Sequence, residues 1–161
     1  MGTEKKVVVP IRLSLSMIVK NEEQFLDGCL ESVRGVADEI VVADTGSTDG
    51  TVAIANRHGG KTIHVPWEDD FSSARNESLR HCTGEWVLYL DADERLVAGQ
   101  ESIISELLGN KSAAAYNVIV RNTLSLPSGT SVQRMPYPRL FRRTAGVRFE
   151  GRVHEQIAPA I

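Results

Sequence analysis

The chain has few cysteines, few aromatic residues and no long apolar run. Its 161 residues include two cysteines, Cys29 and Cys82, which show neither a metal-ligand spacing nor a redox spacing. A cysteine-based metal centre or thiol redox site is therefore not expected. Cys29 falls on the apolar stripe of a predicted helix, which predicts a small buried hydrophobic side chain.

Membrane-spanning segments and a strong charge imbalance are missing as well. The Val7–Val9 run near the start of the chain is too short for a signal peptide or a membrane span. A net charge of −3 offers no electrostatic argument for a nucleic-acid partner. We therefore expect a cytoplasmic protein with one domain, residues 1–161, which is long enough to bury a core.

Apolar runs and segments of helical period alternate through the first part of the chain. Strands are predicted over residues 13–19, 39–43, 61–65 and 85–90, each of the first three followed by an amphipathic or capped helix. This alternation predicts an α/β fold, a mostly parallel sheet flanked by helices in the Rossmann-like manner. Ligands of such sheets bind beyond the carboxyl ends of the strands.

The pattern changes in the last third. A helix is predicted over 102–108, followed by extended segments at 115–126, 131–141 and 147–157, the first two joined by a turn at 127–129. We therefore expect a mixed or antiparallel C-terminal extension, and no linker separates residues 11–96 from residues 97–161.

Aspartates follow two of the predicted strands. Asp91 and Asp93 come directly after the fourth strand, where both can reach a hard cation such as Mg²⁺ or Mn²⁺. An Asp-x-Asp pair alone is a weak signal, but carboxylates beside a buried strand are costly without a partner. Asp44 follows the second strand and is predicted to accept hydrogen bonds from a nucleoside, although capping of the next helix is an alternative. For Asp49 capping is the favoured interpretation.

Four polar segments resemble, in order and spacing, the inverting family-two glycosyltransferases with the GT-A fold. They are Ser16-Met17-Ile18-Val19-Lys20-Asn21-Glu22-Glu23, Asp44-Thr45-Gly46-Ser47-Thr48-Asp49-Gly50-Thr51, Asp70-Phe71-Ser72-Ser73-Ala74-Arg75-Asn76 and Leu90-Asp91-Ala92-Asp93-Glu94. The resemblance covers residues 11–96. It implies that this half binds a nucleotide-diphosphate sugar, with a UDP-sugar favoured, and that residues 97–161 face the acceptor.

The resemblance also implies roles for single residues. Asp91 would hold Mn²⁺ or Mg²⁺ together with Asp93 and would contact the ribose or diphosphate. Other residues would lie around the donor, namely Met17, Asn21 and Glu22 at the nucleoside, Asp44 at the base and Arg75 close to the donor without a more exact place. The acceptor would be a saccharide, a lipid-linked saccharide or a peptide. Because only 68 residues follow Asp93, a second subunit or further C-terminal residues would be needed to complete its binding.

Inverting transfer needs a general base, yet no aspartate follows Asp93. Glu94 adjoins the predicted metal pair, and Glu101 and Glu106 are predicted on a helix surface. A Val-His-Glu segment lies near the active site in some relatives, which favours His154 and Glu155. If residues 152–156 form a strand, these two side chains point to opposite faces. Either His154 is a third metal ligand and Glu155 is structural, or Glu155 is the base and His154 packs. We choose His154 near the metal or diphosphate and Glu155 as the base.

Several further residues have two interpretations each. Trp67 either stacks on a base or sugar or packs in the core. Five arginines crowd the last quarter, where one or two would neutralise a diphosphate and the rest would be exposed strand residues, namely Arg139, Arg142, Arg143, Arg148 and Arg152.

Three other functions are alternatives to this one. A nucleotidyltransferase would need a basic, glycine-rich loop where residues 20–23 contain no glycine. A phosphatase would need Thr or Gly soon after the Asp pair, but Glu94-Arg95 follows, and Lys111 is the only lysine after Lys61. A non-catalytic nucleotide-sugar-binding module remains as the alternative, and binding without turnover would distinguish it.

Overall fold

A six-stranded mixed sheet forms the centre of the fold. The structure is a computed structural model that describes residues 11–126 and 129–159. The strands are β1 (Leu13–Val19), β2 (Glu39–Asp44), β3 (Lys61–His64), β4 (Trp86–Tyr89), β5 (Ala115–Leu126) and β6 (Gly129–Arg142). Their order is β3-β2-β1-β4-β6-β5, in which β1 to β4 are parallel and β6 is antiparallel to both β4 and β5. The predicted α/β class, with a parallel first half and an antiparallel extension, is confirmed.

Four helices connect these strands. They are α1 (Leu26–Ser32), α2 (Thr51–Arg57), α3 (Phe71–His81) and α4 (Glu101–Gly109), each close to its predicted position. Asp70 caps α3, because its carboxylate accepts a hydrogen bond of 3.0 Å from the backbone N–H of Ser73. Arg80 and His81 occupy the last turn of α3, where positive charge interacts favourably with the helix dipole.

β1 is buried on both faces, and its sequence differs between them. Leu13, Leu15 and Met17 pack in the larger core cluster with side chains of α1, α2 and α4. On the opposite face small residues allow α3 to approach, and Ser16 and Ser78 are joined by a hydrogen bond of 2.8 Å between their hydroxyl oxygens. The sheet therefore has three helices on one face and α3 on the other.

The last predicted strand, residues 147–157, is interrupted in the structure. β7 (Arg148–Glu150) and β8 (Gln156–Ala158) pair antiparallel, and a loop of five residues joins them. Gly151 and His154 in this loop have φ values of 103° and 57°, which an extended strand does not adopt. The expectation of one continuous strand is therefore wrong.

Some expectations concern residues outside the described ranges. The Val7–Val9 run lies there, and so do Pro127 and Ser128 of the predicted turn. Among the helices of the described ranges, none is both long enough and apolar enough to cross a membrane.

Both thiols should be inert in the folded protein. Cys29 and Cys82 are buried, and burial raises the pKa of each thiol to about 12. We expect almost no reaction with Ellman's reagent at pH 8, because the thiolate is the reactive form. Two thiols should react once guanidinium chloride unfolds the chain. A native thiol reacting at the rate of free cysteine would contradict the buried placement.

Candidate functional site

A cleft of about 700 Å³ opens at the carboxyl ends of β1 and β4. This is the edge at which ligands of parallel sheets bind. Residues from β1, the loops after β1, β3 and β4, helix α3 and the β7–β8 loop line it, among them Glu22, Arg75, Asp91, Asp93, His154 and Glu155. A second cavity of about 530 Å³ lies between α1 and α2 and includes Ile40 near the start of β2. It is thus at the opposite edge, away from the predicted site residues.

Arg75 connects the end of β4 to the β7–β8 loop under the cleft. Its guanidinium donates to Asp91 at 2.8 Å and also to Glu155, while the side chain of Arg75 is only 7% exposed. Arg75 is therefore a buried residue, although an arginine on a helix is often exposed on its solvated face. Burial alone would lower the pKa of Arg75, but the charges of Asp91 and Glu155 outweigh it and raise that pKa.

Arg139 holds Asp91 from the other side. Its guanidinium lies 3.4 Å from the second carboxylate oxygen of Asp91 and donates to Glu94 at 2.8 Å, and its Cζ is 4.4 Å from the centre of the Tyr89 ring. Burial acts to raise the pKa of Asp91, but Arg75 and Arg139 together hold it below its ordinary value. Of the five C-terminal arginines, Arg139 is the one that reaches the Asp-x-Asp segment.

Negative charge accumulates on the opposite wall of the cleft. The pKa of Glu22 is raised, first by burial and then by the charges of Asp93, Asp49 and Asp91. In the described part of the chain, the side chains of Asp93 and His154 form neither a hydrogen bond nor an ion pair, although both line the cleft. A cation bound here would relieve the repulsion among the carboxylates.

The segment after β2 folds into a turn that its own polar side chains hold together. The Asp44 carboxylate is buried and accepts hydrogen bonds from the backbone N–H groups of Gly46 and Ser47. Asn21 accepts one of 2.8 Å from the N–H of Thr48. Asp44 and Asn21 thus shape the turn, and neither is among the residues that line the cleft, whereas Thr45 is. Asp49 accepts from the N–H and the hydroxyl of Thr51, the first residue of α2, but the N-cap residue of this helix is Gly50.

Of the other predicted site residues, some line the cleft and some do not. The side chain of Met17 is fully buried in the core, and its neighbours Ile18 and Val19 line the cleft in its place. His154 and Glu155 both line the cleft, because the loop bend removes the strand alternation that would have separated them. Glu94 is bound to Arg139 and to the N–H of Asp91, outside the cleft lining.

Aromatic side chains form one wall of the cleft. Trp67 and Phe71 meet edge to face with their ring centres 4.9 Å apart, and Phe25 also lines the cleft. Trp67 Nε1 donates to Asp69 at 2.8 Å, which fixes its ring. The sequence did not single out Phe25 or Phe71 as a cleft residue, because both fit a helical pattern. Their exposure, 40% and 38%, is known only from the structure.

The residues of the cleft fit a divalent cation that shares its ligands with a phosphate group. No three His, Cys, Asp or Glu side chains within residues 11–126 and 129–159 form a group that could hold a metal ion unaided. Among the described residues, Asp93 and His154 are two cleft residues of metal-ligating type whose side chains have no hydrogen-bond or ion-pair partner. Mg²⁺ is usually held by one or two carboxylates, with water and substrate phosphates as the remaining ligands.

The family model for glycosyl transferase family 2 matches residues 14–151, most of the chain. The chain belongs to this family. A TPR repeat-containing protein of Synechococcus elongatus is 40% identical over 149 residues, which cover 91% of this chain and 35% of that protein. The prophage-derived glycosyltransferase SunS of Bacillus subtilis is 30% identical over 146 residues, 89% of this chain and 34% of SunS. The chain therefore spans about a third of the length of these two family relatives.

Solved structures show the same GT-A fold. Residues 1–349 of Staphylococcus aureus TarS match with a TM-score of 0.58 at 18% identity, over 83% of this chain and 47% of that one. The mannosyltransferase PcManGT of Pyrobaculum calidifontis, in complex with GDP-Man and Mn²⁺, matches with a TM-score of 0.55 at 24% identity, over 67% of this chain and 35% of that one. The predicted family and fold are thus confirmed.

Replacing Arg75 by methionine should destabilise the fold. The change leaves Glu155 and one oxygen of Asp91 without a cationic partner, and breaking a buried ion pair costs about 3–5 kcal/mol. Because the Asp91 side chain is 41% exposed, we expect a smaller loss than this, about 2–3 kcal/mol in urea unfolding. Arg80→Met, on the exposed side of the same helix, is the control and should stay within about 0.5 kcal/mol.

The loss of stability in Arg75→Met should depend on pH. The pKa of Asp91 is lowered in the folded state, so its contribution to stability is present above the unfolded pKa and disappears as the pH falls through the folded one. The difference between wild type and Arg75→Met should therefore narrow below about pH 4. An equal loss at pH 7 and pH 3 would mean that lost packing, not the ion pair, is responsible.

Proposed function

We propose that this chain binds a nucleotide-diphosphate sugar in the cleft and belongs to a metal-dependent glycosyltransferase that transfers the sugar with inversion. The proposal rests on one observation. The same cleft contains candidate metal ligands and a buried guanidinium group. Asp93 and His154 have no hydrogen-bond or ion-pair partner among the described residues, and Arg75 lines the same cleft between two carboxylates. The family membership supports the same conclusion.

The nucleoside and the sugar would occupy different parts of the cleft. Trp67, Phe71 and Phe25 offer ring faces and edges on which a base or sugar can stack. The N–H groups and side chains of residues 44–51 would recognise the nucleoside, with Asp44 and Asn21 keeping that turn in shape. UDP is our preferred nucleotide, and GDP is the alternative suggested by the GDP-Man complex of PcManGT.

Asp93 and His154 would hold Mn²⁺ or Mg²⁺ together with diphosphate oxygens. The ion supplies charge stabilisation for the departing diphosphate. Both carboxylate oxygens of Asp91 face arginines, so Asp91 would contact the ribose or reach the ion through water. Glu22 adds negative charge to the same wall, which favours a cation there.

Glu155 is the proposed general base. Its side chain is 15% exposed and lines the cleft, and the contact with Arg75 orients the carboxylate. A base must lie within hydrogen-bond reach of the acceptor hydroxyl, on the side away from the leaving diphosphate. Glu101 and Glu106 are exposed on α4 and do not line the cleft, as expected.

Nucleotide binding tests the donor site. We expect UDP or GDP to bind in calorimetric titrations with Mn²⁺, and to bind at least about tenfold more weakly with chelator or in Asp93→Asn, because both changes remove charge stabilisation of the diphosphate. Glu106→Gln removes one negative charge on exposed α4 and serves as the control, which should bind like wild type. Binding that ignores both Mn²⁺ and Asp93→Asn would exclude the proposed site.

Turnover measurements test Glu155 as the general base. With UDP-glucose and GDP-mannose as donors, we would follow the release of nucleoside diphosphate by wild type and Glu155→Gln. Glu155→Gln should lower kcat by about 10²–10⁴-fold, whereas nucleotide affinity should change little. Metal-dependent binding without turnover by the wild type, with water and simple sugars as acceptors, would favour the non-catalytic binding module.

A further inference from the structure

β5 and β6 form an arm that extends beyond the carboxyl edge of the sheet. β6 pairs with β4 only through Leu140–Arg142, whereas its pairing with β5 continues to Gly129. Because β6 is antiparallel to β4, its residues before Leu140 lie past the end of β4, at the edge where Asp91 and Asp93 are found. At about 3.4 Å per residue, Arg134 lies about 17 Å along the strand from Arg139.

The two faces of the arm continue different sides of the sheet. Tyr116 and Val118 pack against the core cluster beneath α1 and α4, whereas Ala115 packs with Phe141 on the α3 side. Strand alternation then places Ile119, Arg121 and Thr123 on the α3 side. Their cross-strand partners there are Pro136, Arg134 and Val132.

Arg121 and Arg134 are directly opposite each other without a counter-charge. Both are exposed, and in the part of the chain that the structure describes neither forms an ion pair or a side-chain hydrogen bond. Like charges directly opposite destabilise a strand pair. Residues 107–149 contain no acidic residue at all, so strand neighbours cannot neutralise them. The other arginines of this segment have acceptors in acidic side chains or backbone carbonyls, namely Arg139, Arg142, Arg143 and Arg148.

β5 is the last strand of the sheet and leaves its outer backbone edge open. Its 12 residues have β6 on one side and, among the described residues, no strand on the other. Ile119 and Val132 are 54% and 42% exposed on the face that carries the arginines. A long, open edge is a template for another strand, a binding mode in which main-chain hydrogen bonds provide affinity and alternate side chains provide specificity.

We propose that β5 is a docking strand for an extended, acidic polypeptide. The incoming strand would pair with the outer edge of β5 and place a carboxylate beside Arg121 and Arg134, which removes their repulsion. Apolar side chains two residues away would cover Ile119. A second copy of this chain fits poorly, because it would bring a further arginine pair onto the same sheet. An anionic membrane also fits poorly, since electrostatic membrane sites use clusters of about four to eight basic residues.

Fluorescence anisotropy with a labelled peptide of repeating Val-Thr-Glu-Thr sequence, which places valine and glutamate in turn on one face of a strand, tests the proposal. The full chain should bind this peptide, and the double variant Arg121→Gln/Arg134→Gln should bind it about fivefold or more weakly. The matched control is Arg34→Gln/Arg80→Gln, which removes the same charge from side chains that are 72% and 71% exposed. It should bind like wild type. Binding should also slow amide hydrogen exchange in β5, as main-chain pairing requires.

Three results would overturn the proposal. The double variant could bind the glutamate peptide as tightly as wild type, or a valine–lysine peptide could bind wild type equally well. Vesicles with anionic lipid could bind through Arg121 and Arg134 while the peptide does not, which would assign the pair to a membrane surface. Thermal unfolding of the double variant should show an unchanged or higher Tm, because the substitution removes a repulsion. The test is independent of nucleotide binding, so it can fail while the proposed donor site stands.

Discussion

Among the contacts that join the two halves of this chain, one buried arginine binds a carboxylate from each half. Arg75 lies on α3, in the first half, and binds Asp91 at the end of β4 and Glu155 in the β7–β8 loop near the C-terminus. Asp91 is 41% exposed and is also bound by Arg139, but Glu155 is only 15% exposed, and burying an unpaired charge is costly. The ion pair between Arg75 and Glu155 is therefore one of the contacts that hold the β7–β8 loop over the cleft.

The sequence predicted the sheet better than it predicted the side chains around the cleft. β1, β2 and β4 are short and strongly apolar, and helices separate β1 to β4 along the chain. Local patterns therefore determine these strands, and each lies close to its predicted range. The interruption between β7 and β8 could not be predicted in the same way. Gly151 permits a positive φ, but His154 adopts one because surrounding contacts hold the loop, among them the hydrogen bond from the Ser72 hydroxyl to the carbonyl of Gly151.

Long-range contacts also decide what the polar motifs do. Asp44 and Asn21 stand in segments that point to a nucleotide, yet in the structure their side chains hold the turn after β2 together. Arg139 was one of five arginines with two interpretations, and only its contact with Asp91 and Glu94, 48 and 45 residues away, distinguishes it. Spacing along the chain indicates which residues reach the edge of the sheet, but it does not indicate which of them face the ligand.

The electrostatic arrangement of the cleft would favour binding of a cationic ligand, and it lowers the stability of the protein without that ligand. Glu22, Asp91 and Asp93 repel one another. Burial and then the neighbouring carboxylate charges raise the pKa of Glu22, while Arg75 and Arg139 neutralise only the Asp91 side of the group. A protein selected for stability alone would keep fewer carboxylates there. The same imbalance appears with opposite sign at Arg121 and Arg134 on the arm, where like charges face each other and no described side chain pairs with them. In both places an unfavourable contact within the chain would become favourable if a ligand of the opposite charge bound, and both proposals follow from this argument.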